Sequence, residues 1–227
     1  MTKYSVCAII CAAGKGNRAG FEQNKLLVPY QGSTVLEKTV SAFNFPAIDE
    51  IIIMASKEDF DVIKTLVKSV PSASVVLGGA TRSESVYNAL KQSKADIALI
   101  HDGARPLILP EDISRCARDA FRCGGAVLAV PVTDTIKYGK KNGFVEYTPA
   151  REKLFAAQTP QIFDIRIYKA AMERAFRELS DWTDDSRIFE NDARKVFLTP
   201  GKRYNIKITS PEDILIAEAL LKGRDSE

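Results

Sequence analysis

Residues 6–10, Val-Cys-Ala-Ile-Ile, form a short apolar run that leads straight into Cys11-Ala-Ala-Gly-Lys-Gly-Asn-Arg18. Such a run, passing into small residues and glycine, is the pattern of a strand buried on both faces, which needs helices on each side of its sheet. Open α/β sheets bind ligands at the carboxyl ends of their strands. Loop 11–18 is expected at that edge, offering bare backbone N–H groups. Gly14 and Gly16 permit conformations and approaches that a Cβ would block. Arg18 and Lys25 add two fixed positive charges. A loop built this way suits a polyphosphate.

Spacing separates the ways such a loop can bind phosphate. A P-loop needs Gly, four residues, then Gly-Lys-Ser/Thr, and the chain contains no Gly-Lys-Ser/Thr. Gly14, Gly16 and Ala19 satisfy the loose form of the dinucleotide fingerprint, but that motif must open a helix at once and carry an acid about twenty residues on. Here the helix start is expected at Ser33-Thr34, and the second strand runs out at Ala55-Ser56. A long basic loop around a nucleoside triphosphate fits better. The plain alternative is a tight turn whose Arg and Lys are merely solvated.

Strand and helix patterns alternate downstream. Strands are predicted at 6–11, 50–54, 74–77, 97–101 and 126–130, with helices at 34–43, 57–70, 81–91 and 110–122. This alternation predicts an α/β fold: a single Rossmann-like, doubly wound, mostly parallel sheet. The pattern changes at 132–138 and 144–147, which flank Lys-Lys-Asn142-Gly143 and read as a hairpin. A protruding two-stranded ribbon is marginal alone in water, so the arm at 132–150 is expected to hold a homodimer together. Further on, a strand at 159–163, helices at 167–179 and 184–190, strands at 196–198 and 204–208 and an amphipathic helix at 211–221 complete the pattern, with no second domain boundary in residues 1–227.

Thirty-two basic and 29 acidic residues leave a net charge of only +3, so phosphate chemistry must come from local clusters. No Lys/Arg stripe interleaved with aromatics marks a nucleic-acid partner, and no apolar run is long enough to span a bilayer. Residues 6–13 break into Gly-Lys-Gly-Asn-Arg and are needed as the first strand, so they are read as mature structure rather than a signal peptide, and the expected location is cytoplasmic. Cys7, Cys11, Cys116 and Cys123 lack metal spacing and are expected as buried free thiols.

His101-Asp102-Gly103-Ala104-Arg105-Pro106 falls where the fourth strand ends, facing the same crevice as Gly14. Asp102 is a hard oxygen ligand suited to Mg²⁺, and Arg105 can hold a phosphate or carboxylate bidentately; alternatively Asp102 caps a turn and Arg105 pairs with a nearby acid. His101 is the only histidine, which excludes a His-based metal cluster. In the segment Gly78-Gly79-Ala-Thr81-Arg-Ser-Glu84-Ser85, Thr81 and Glu84 have capping-box spacing, while Gly79 could admit a base ring and Ser85 a hydrogen bond. Arg151 and Lys207 are further basic residues whose pattern leaves both a ligand and solvent open.

These residues, together with Pro131-Val-Thr-Asp-Thr135, Arg151 with Leu154, Thr159-Pro160-Gln161, Thr183-Asp184, and Asn205-Ile-Lys207-Ile-Thr209 with Pro211-Glu-Asp213, closely resemble the 2-C-methyl-D-erythritol 4-phosphate cytidylyltransferase family, from the first strand to the last helix. The resemblance implies a nucleotidyltransferase fold and cytidylyl transfer from CTP to a polyol phosphate, with Mg²⁺. It implies Arg18 and Lys25 as stabilisers of the triphosphate, Arg151 and Lys207 as holders of the acceptor phosphate, and Asp102 as the metal ligand. Ala12, Ala13, Gly14, Gly16, Gly79 and Ser85 would surround the nucleotide, with Gly103 nearby. Arg105, Thr135 and Thr183 would line the acceptor pocket, and the arm would lend Thr135 and Arg151 to a neighbouring subunit. Many members have Ala in place of Gly103, a departure expected to loosen packing slightly. Ribitol-5-phosphate cytidylyltransferase, or a non-catalytic nucleotide-binding assembly protein, are the alternatives.

Overall fold

The computed structural model describes residues 4–14, 24–177 and 184–224. Strand β1 (Val6–Ala12) is followed by a small ladder of β2 (Pro29–Tyr30) and β3 (Ser33–Thr34), then α1 (Val35–Phe43), β4 (Glu50–Ala55), α2 (Phe60–Leu66), β5 (Ala73–Leu77), α3 (Arg82–Gln92), β6 (Ile97–Asp102), α4 (Pro110–Cys123) and β7 (Gly125–Pro131). The arm carries β8 (Tyr138–Gly139) and β9 (Val145–Tyr147). After it come β10 (Phe155–Asp164), α5 (Ile165–Arg177), α6 (Asp185–Asn191), β11 (Phe197–Pro200) and α7 (Pro211–Arg224).

Among the described residues one seven-stranded sheet has the order β11-β7-β10-β6-β1-β4-β5. All its strands run parallel except β10, which pairs antiparallel with β6 and β7. Alternation within the strands feeds two cores. Ala8, Ile10, Ile51 and Ile53 pack with residues of α1, α4 and α7 on one face, and Ile9, Ile52 and Met54 with residues of α3, α5 and α6 on the other. The doubly wound α/β reading is therefore what the chain adopts.

Local chemistry sets the helix ends. Thr34 caps α1 in a reciprocal capping box with Glu37. Pro110 opens α4 and Gly124, at φ 92°, closes it. Helix α2 starts later than its pattern, where Ser56 and Asp59 hydrogen bond each other (2.8 Å) in a turn, and it ends earlier, at Leu66.

Three expectations are corrected. Residues 204–208 are not a strand. Their backbone groups are taken by Arg105, whose Nη1 donates to the Asn205 carbonyl (2.8 Å), and by the Ala104 carbonyl, which accepts from Ile208 N–H (2.8 Å). Helix α7 is not amphipathic: Ala217 is buried, yet Leu215 and Ile216 are exposed. Of the cysteines, Cys7 and Cys116 are buried, but Cys11 is partly exposed and Cys123 exposed.

The arm at 132–150 forms a shorter ladder than predicted, with its turn built on Lys140–Gly143 and Gly143 at φ 87°. Ile136, Tyr138, Phe144, Val145 and Tyr147 are all exposed on it. Among the described residues no helix is long and apolar enough to cross a membrane.

Candidate active site

From β1 the chain builds outward through β4 and β5, then returns to add β6 on the other side of β1. The crevice between β1 and β6 is thus the switch point of the sheet, where the connecting loops part and a ligand can enter. Cys11 is in register with both Asp102 and Met54, so the loops beyond them open on one rim. A cavity of about 550 Å³ lies there, within the usual range for small-molecule sites. Ala13, Gly14, Lys25, Gly79, Ser85, Asp102, Gly103 and Lys207 line it, as does Arg82.

Each charged group is held by its neighbours. Lys25 projects from the 3₁₀ turn Lys25–Leu27, which Asn24 pins by accepting from Leu26 N–H (3.1 Å) and donating to Asp59 (2.8 Å). The Asp102 N–H donates to Thr159 Oγ1 (3.1 Å), and that hydroxyl meets His101 Nδ1 (2.9 Å). His101 Nε2 lies 3.3 Å from the Arg105 carbonyl, so Nε2 carries the hydrogen and Nδ1 accepts. Asn205 donates to the Thr159 carbonyl (3.0 Å), fixing the segment that brings Lys207 Nζ to 3.1 Å from Asp102 Oδ2. Arg105 Nε approaches the same oxygen at 3.3 Å, and Arg82 Nη2 lies 3.9 Å from Oδ1.

Electrostatics follow from that arrangement. Burial pushes the Asp102 carboxyl up, but Lys207, Arg82 and Arg105 outweigh it and hold the group well below the usual carboxylate range. Burial, and then the Lys207 ammonium, push Lys25 down. The site therefore holds a permanent carboxylate beside cations that repel each other and gain from an added anion. Lys207 is 43% exposed in its side chain, so its pairing with Asp102 contributes at most about 1 kcal/mol and is easily exchanged for a phosphate. Burial pushes the Cys11 thiol up to about 12, which leaves no thiolate nucleophile in the cavity.

His101 is fully buried, and burial lowers it to about 4. Unfolded imidazole titrates near 6.5, so the unfolded chain takes the proton first. The contribution is fully present above about pH 6.5 and is lost as pH falls from there toward 4, a total of about 3 kcal/mol. Urea midpoints should fall over that window, and His101→Gln should flatten the slope. An equally steep slope in the variant would assign the acid sensitivity to other groups.

Of the residues singled out by sequence, Ala13, Gly14, Lys25, Gly79, Ser85, Asp102, Gly103 and Lys207 come together. Arg18, Gly16 and Thr183 lie outside the described residues. Ala12 does not line the cavity; as the last residue of β1 it is fully buried in the core. Arg105 does not line it either, being spent on Asp102 and the Asn205 carbonyl. Thr135 is exposed on the arm and Arg151 just after it, where Arg151 Nη1 donates to the Thr133 carbonyl (2.9 Å).

The glycines also read differently in three dimensions. A Cβ at Gly78 would sit 2.6 Å from Ala13 Cβ, and one at Gly79 2.5 Å from Glu84 Cβ. The packing of α3 under the β1 loop therefore requires the pair, and Gly79 also lines the cavity. Gly14 has open space where a Cβ would stand, which leaves its backbone approachable from the cavity. A Cβ at Gly103 would lie 2.9 Å from the Cys11 carbonyl, so packing there is tight rather than loosened.

Sequence reasoning gave Arg82 and Asp185 no role. Arg82 Nη2 lies 2.6 Å from Asp185 Oδ2, and Asp185 Oδ1 accepts from the Tyr168 hydroxyl (2.8 Å). One signal was available: Arg82 is the first residue of α3, where the helix dipole disfavours a cation.

The chain matches the family described as 2-C-methyl-D-erythritol 4-phosphate cytidylyltransferase over residues 6–223. It is 42% identical to the protein of that name from Microcystis aeruginosa over 224 residues, covering 95% of this chain and 98% of the relative. It is also 42% identical to that of Clostridium acetobutylicum, covering 95% and 97%. The crystal structure of 4-diphosphocytidyl-2C-methyl-D-erythritol synthase from Anaerococcus prevotii superimposes with a TM-score of 0.87 at 33% identity, covering 97% of each chain. With a doubly wound sheet, a cation-lined cavity at its switch point and relatives matched end to end, the chain belongs to the 2-C-methyl-D-erythritol 4-phosphate cytidylyltransferase family and is a nucleotidyltransferase.

Proposed function

We propose that the chain transfers the cytidylyl group of CTP to 2-C-methyl-D-erythritol 4-phosphate, giving 4-diphosphocytidyl-2-C-methyl-D-erythritol and pyrophosphate. The observation that carries this reading is the convergence of Lys25, Lys207 and Asp102 on one cavity at the β1/β6 switch point. An oxygen of the acceptor phosphate attacks the α-phosphorus of CTP. The bond to the β-phosphate oxygen breaks, and pyrophosphate leaves with that electron pair. Two anions must meet, so the site has to neutralise charge and align the groups more than supply a base. A phosphate monoester is already nucleophilic at neutral pH, which agrees with a neutral, buried His101 and a protonated Cys11.

Asp102 fits a magnesium ion that also takes phosphate oxygens, because Mg²⁺ uses one or two carboxylates and keeps its other positions for phosphate and water. Its Oδ1 has no hydrogen-bond donor among the described residues, only the long ion pair to Arg82. Those residues contain no group of three His, Cys, Asp or Glu able to hold a metal by itself. When bound, such an ion would draw charge off the phosphates and fix their orientation. Lys25 would meet the triphosphate, and Lys207 would leave Asp102 to hold the acceptor phosphate.

The family resemblance assigns Arg151 and Thr135 to the acceptor, Arg18 to the triphosphate and Thr183 to the acceptor pocket. Arg151 and Thr135 lie off the cavity of their own chain, which supports a homodimer in which the arm brings them to a neighbouring site. The single domain 1–227 and a cytoplasmic location belong to the same reading. Phe144, 71% exposed at the arm, should matter to assembly: Phe144→Lys with Val145→Lys should halve the mass seen by sedimentation and lower activity with it. Unchanged mass and activity would take the arm out of the assembly.

Pyrophosphate release with CTP and each candidate acceptor tests the reaction. Release with 2-C-methyl-D-erythritol 4-phosphate supports the reading. Release only with ribitol 5-phosphate changes the acceptor, and CTP binding without release from either leaves a nucleotide-binding protein.

A further inference from the structure

Arg82 is in an unfavourable place for a cation. It is the first residue of α3, where the helix dipole is positive, and its Nη1 is buried with no hydrogen-bond partner among the described residues. Something must compensate. Its Nη2 lies 2.6 Å from Asp185 Oδ2, whose side chain is 1% exposed, and 3.9 Å from Asp102 Oδ1. Asp185 also accepts from the fully buried Tyr168 hydroxyl at 2.8 Å.

One guanidinium thus stands between two carboxylates from distant parts of the chain. Asp102 ends β6 inside the cavity, and Asp185 opens α6. Helix α6 directly follows the segment containing Thr183, which the family resemblance assigns to the acceptor pocket. Without Arg82 the two acids would repel across the site. The two contacts are unequal in a useful way. Asp185 takes the short, buried contact and anchors the guanidinium. Asp102 Oδ1 receives only a long-range pull, while Lys207 and Arg105 occupy Oδ2.

We propose that Arg82 is a positioning residue of the transferase, a strap that ties the start of α6 to Asp102. It holds the head of α6 and the phosphate-side carboxylate in one register. The proposal rests on the transferase reading, deepens it, and adds a residue the sequence left without a role. Arg82 acts through Asp102 and α6 rather than on the reacting atoms.

A double-mutant cycle separates this role from plain neutralisation of a buried acid. R82Q orphans Asp185 and should lower the melting temperature; adding D185N removes the orphan and should restore it. Activity should not return with stability: kcat/KM of R82Q/D185N should stay at least roughly tenfold below the parent, the size expected for losing one charge-assisted contact. Its half-saturating Mg²⁺ concentration should shift as well. R82K, which keeps the charge but loses the planar fork, should melt near the parent while the KM for the acceptor phosphate rises severalfold, and it serves if the glutamine variants do not fold. Recovery of both stability and activity in the double variant, or parent kinetics in R82K, overturns the strap. The parent is assayed first: a parent that releases no pyrophosphate sinks the transferase reading and the strap with it, whereas an active parent with a parent-like R82K sinks the strap alone.

Discussion

Asp102→Asn should cut turnover by roughly 10²–10³, the scale of losing a preorganised electrostatic group, without raising the KM for CTP. The reason for the split is the company Asp102 keeps. Three cations face it, Lys207 at 3.1 Å, Arg105 at 3.3 Å and Arg82 at 3.9 Å. Removing the negative charge makes the cavity more positive, so the triphosphate should bind at least as well. What disappears is the carboxylate able to share a divalent cation with the phosphates. Stability should fall too, since Arg105, with a side chain only 11% exposed, keeps just a carbonyl partner. Breaking a buried pair costs about 3–5 kcal/mol, and the low end applies because Arg82 retains Asp185 and Lys207 can swing to water. Steady-state kinetics across Mg²⁺ concentrations, with thermal melts alongside, check this. Parent turnover with an unchanged Mg²⁺ profile would exclude Asp102 as the metal ligand.

Lys25→Met should lower turnover by about tenfold to a few hundredfold, on the basis of about 1.5–3 kcal/mol per charge-assisted contact, and should leave the fold as stable or more so. The opposite signs follow from the physics of the free site. Burial and the neighbouring Lys207 disfavour the Lys25 ammonium more than Asp102 and Asp213 favour it, so the charge is a cost to folding that an anionic substrate would relieve. Methionine keeps the apolar stem against its half-buried surroundings and discards the charge. Denaturant midpoints and single-turnover rates measured on the same samples check the pair of outcomes. A variant with parent activity would remove Lys25 from the mechanism, and one that melts well below the parent would mean that the ammonium supports the fold.

Much of the architecture could be read from local pattern, and the successes share a cause. The helix start at Thr34, the Thr81 cap that accepts from Glu84 N–H, Pro110 at the start of α4, the glycine turn at 143 and the apolar run of β1 all rest on interactions within a few residues. The placing of Asp102 and the Gly14 loop at one crevice came from the rule for parallel sheets, and strand order bears it out. The failures share a cause as well. Residues 204–208 have strand composition, yet their backbone is committed to Arg105 and Ala104, partners far away in sequence. Nothing along the chain accounts for Gly78 beside Gly79, whereas close contacts with Ala13 and Glu84 do.

What the amino-acid sequence by itself determined, then, was the class of fold, the rim on which chemistry could occur and the charged residues available to it, because periodicity, caps and turns are short-range. Tertiary structure alone decided which charge faces which. Lys207 reached Asp102 through a hydrogen-bonded loop, Arg105 was drawn off to a carbonyl, and Arg82 found Asp185 at the head of another helix. Ion pairs between distant segments depend on strand order and on the path of each loop, and no pattern along the chain encodes that distance.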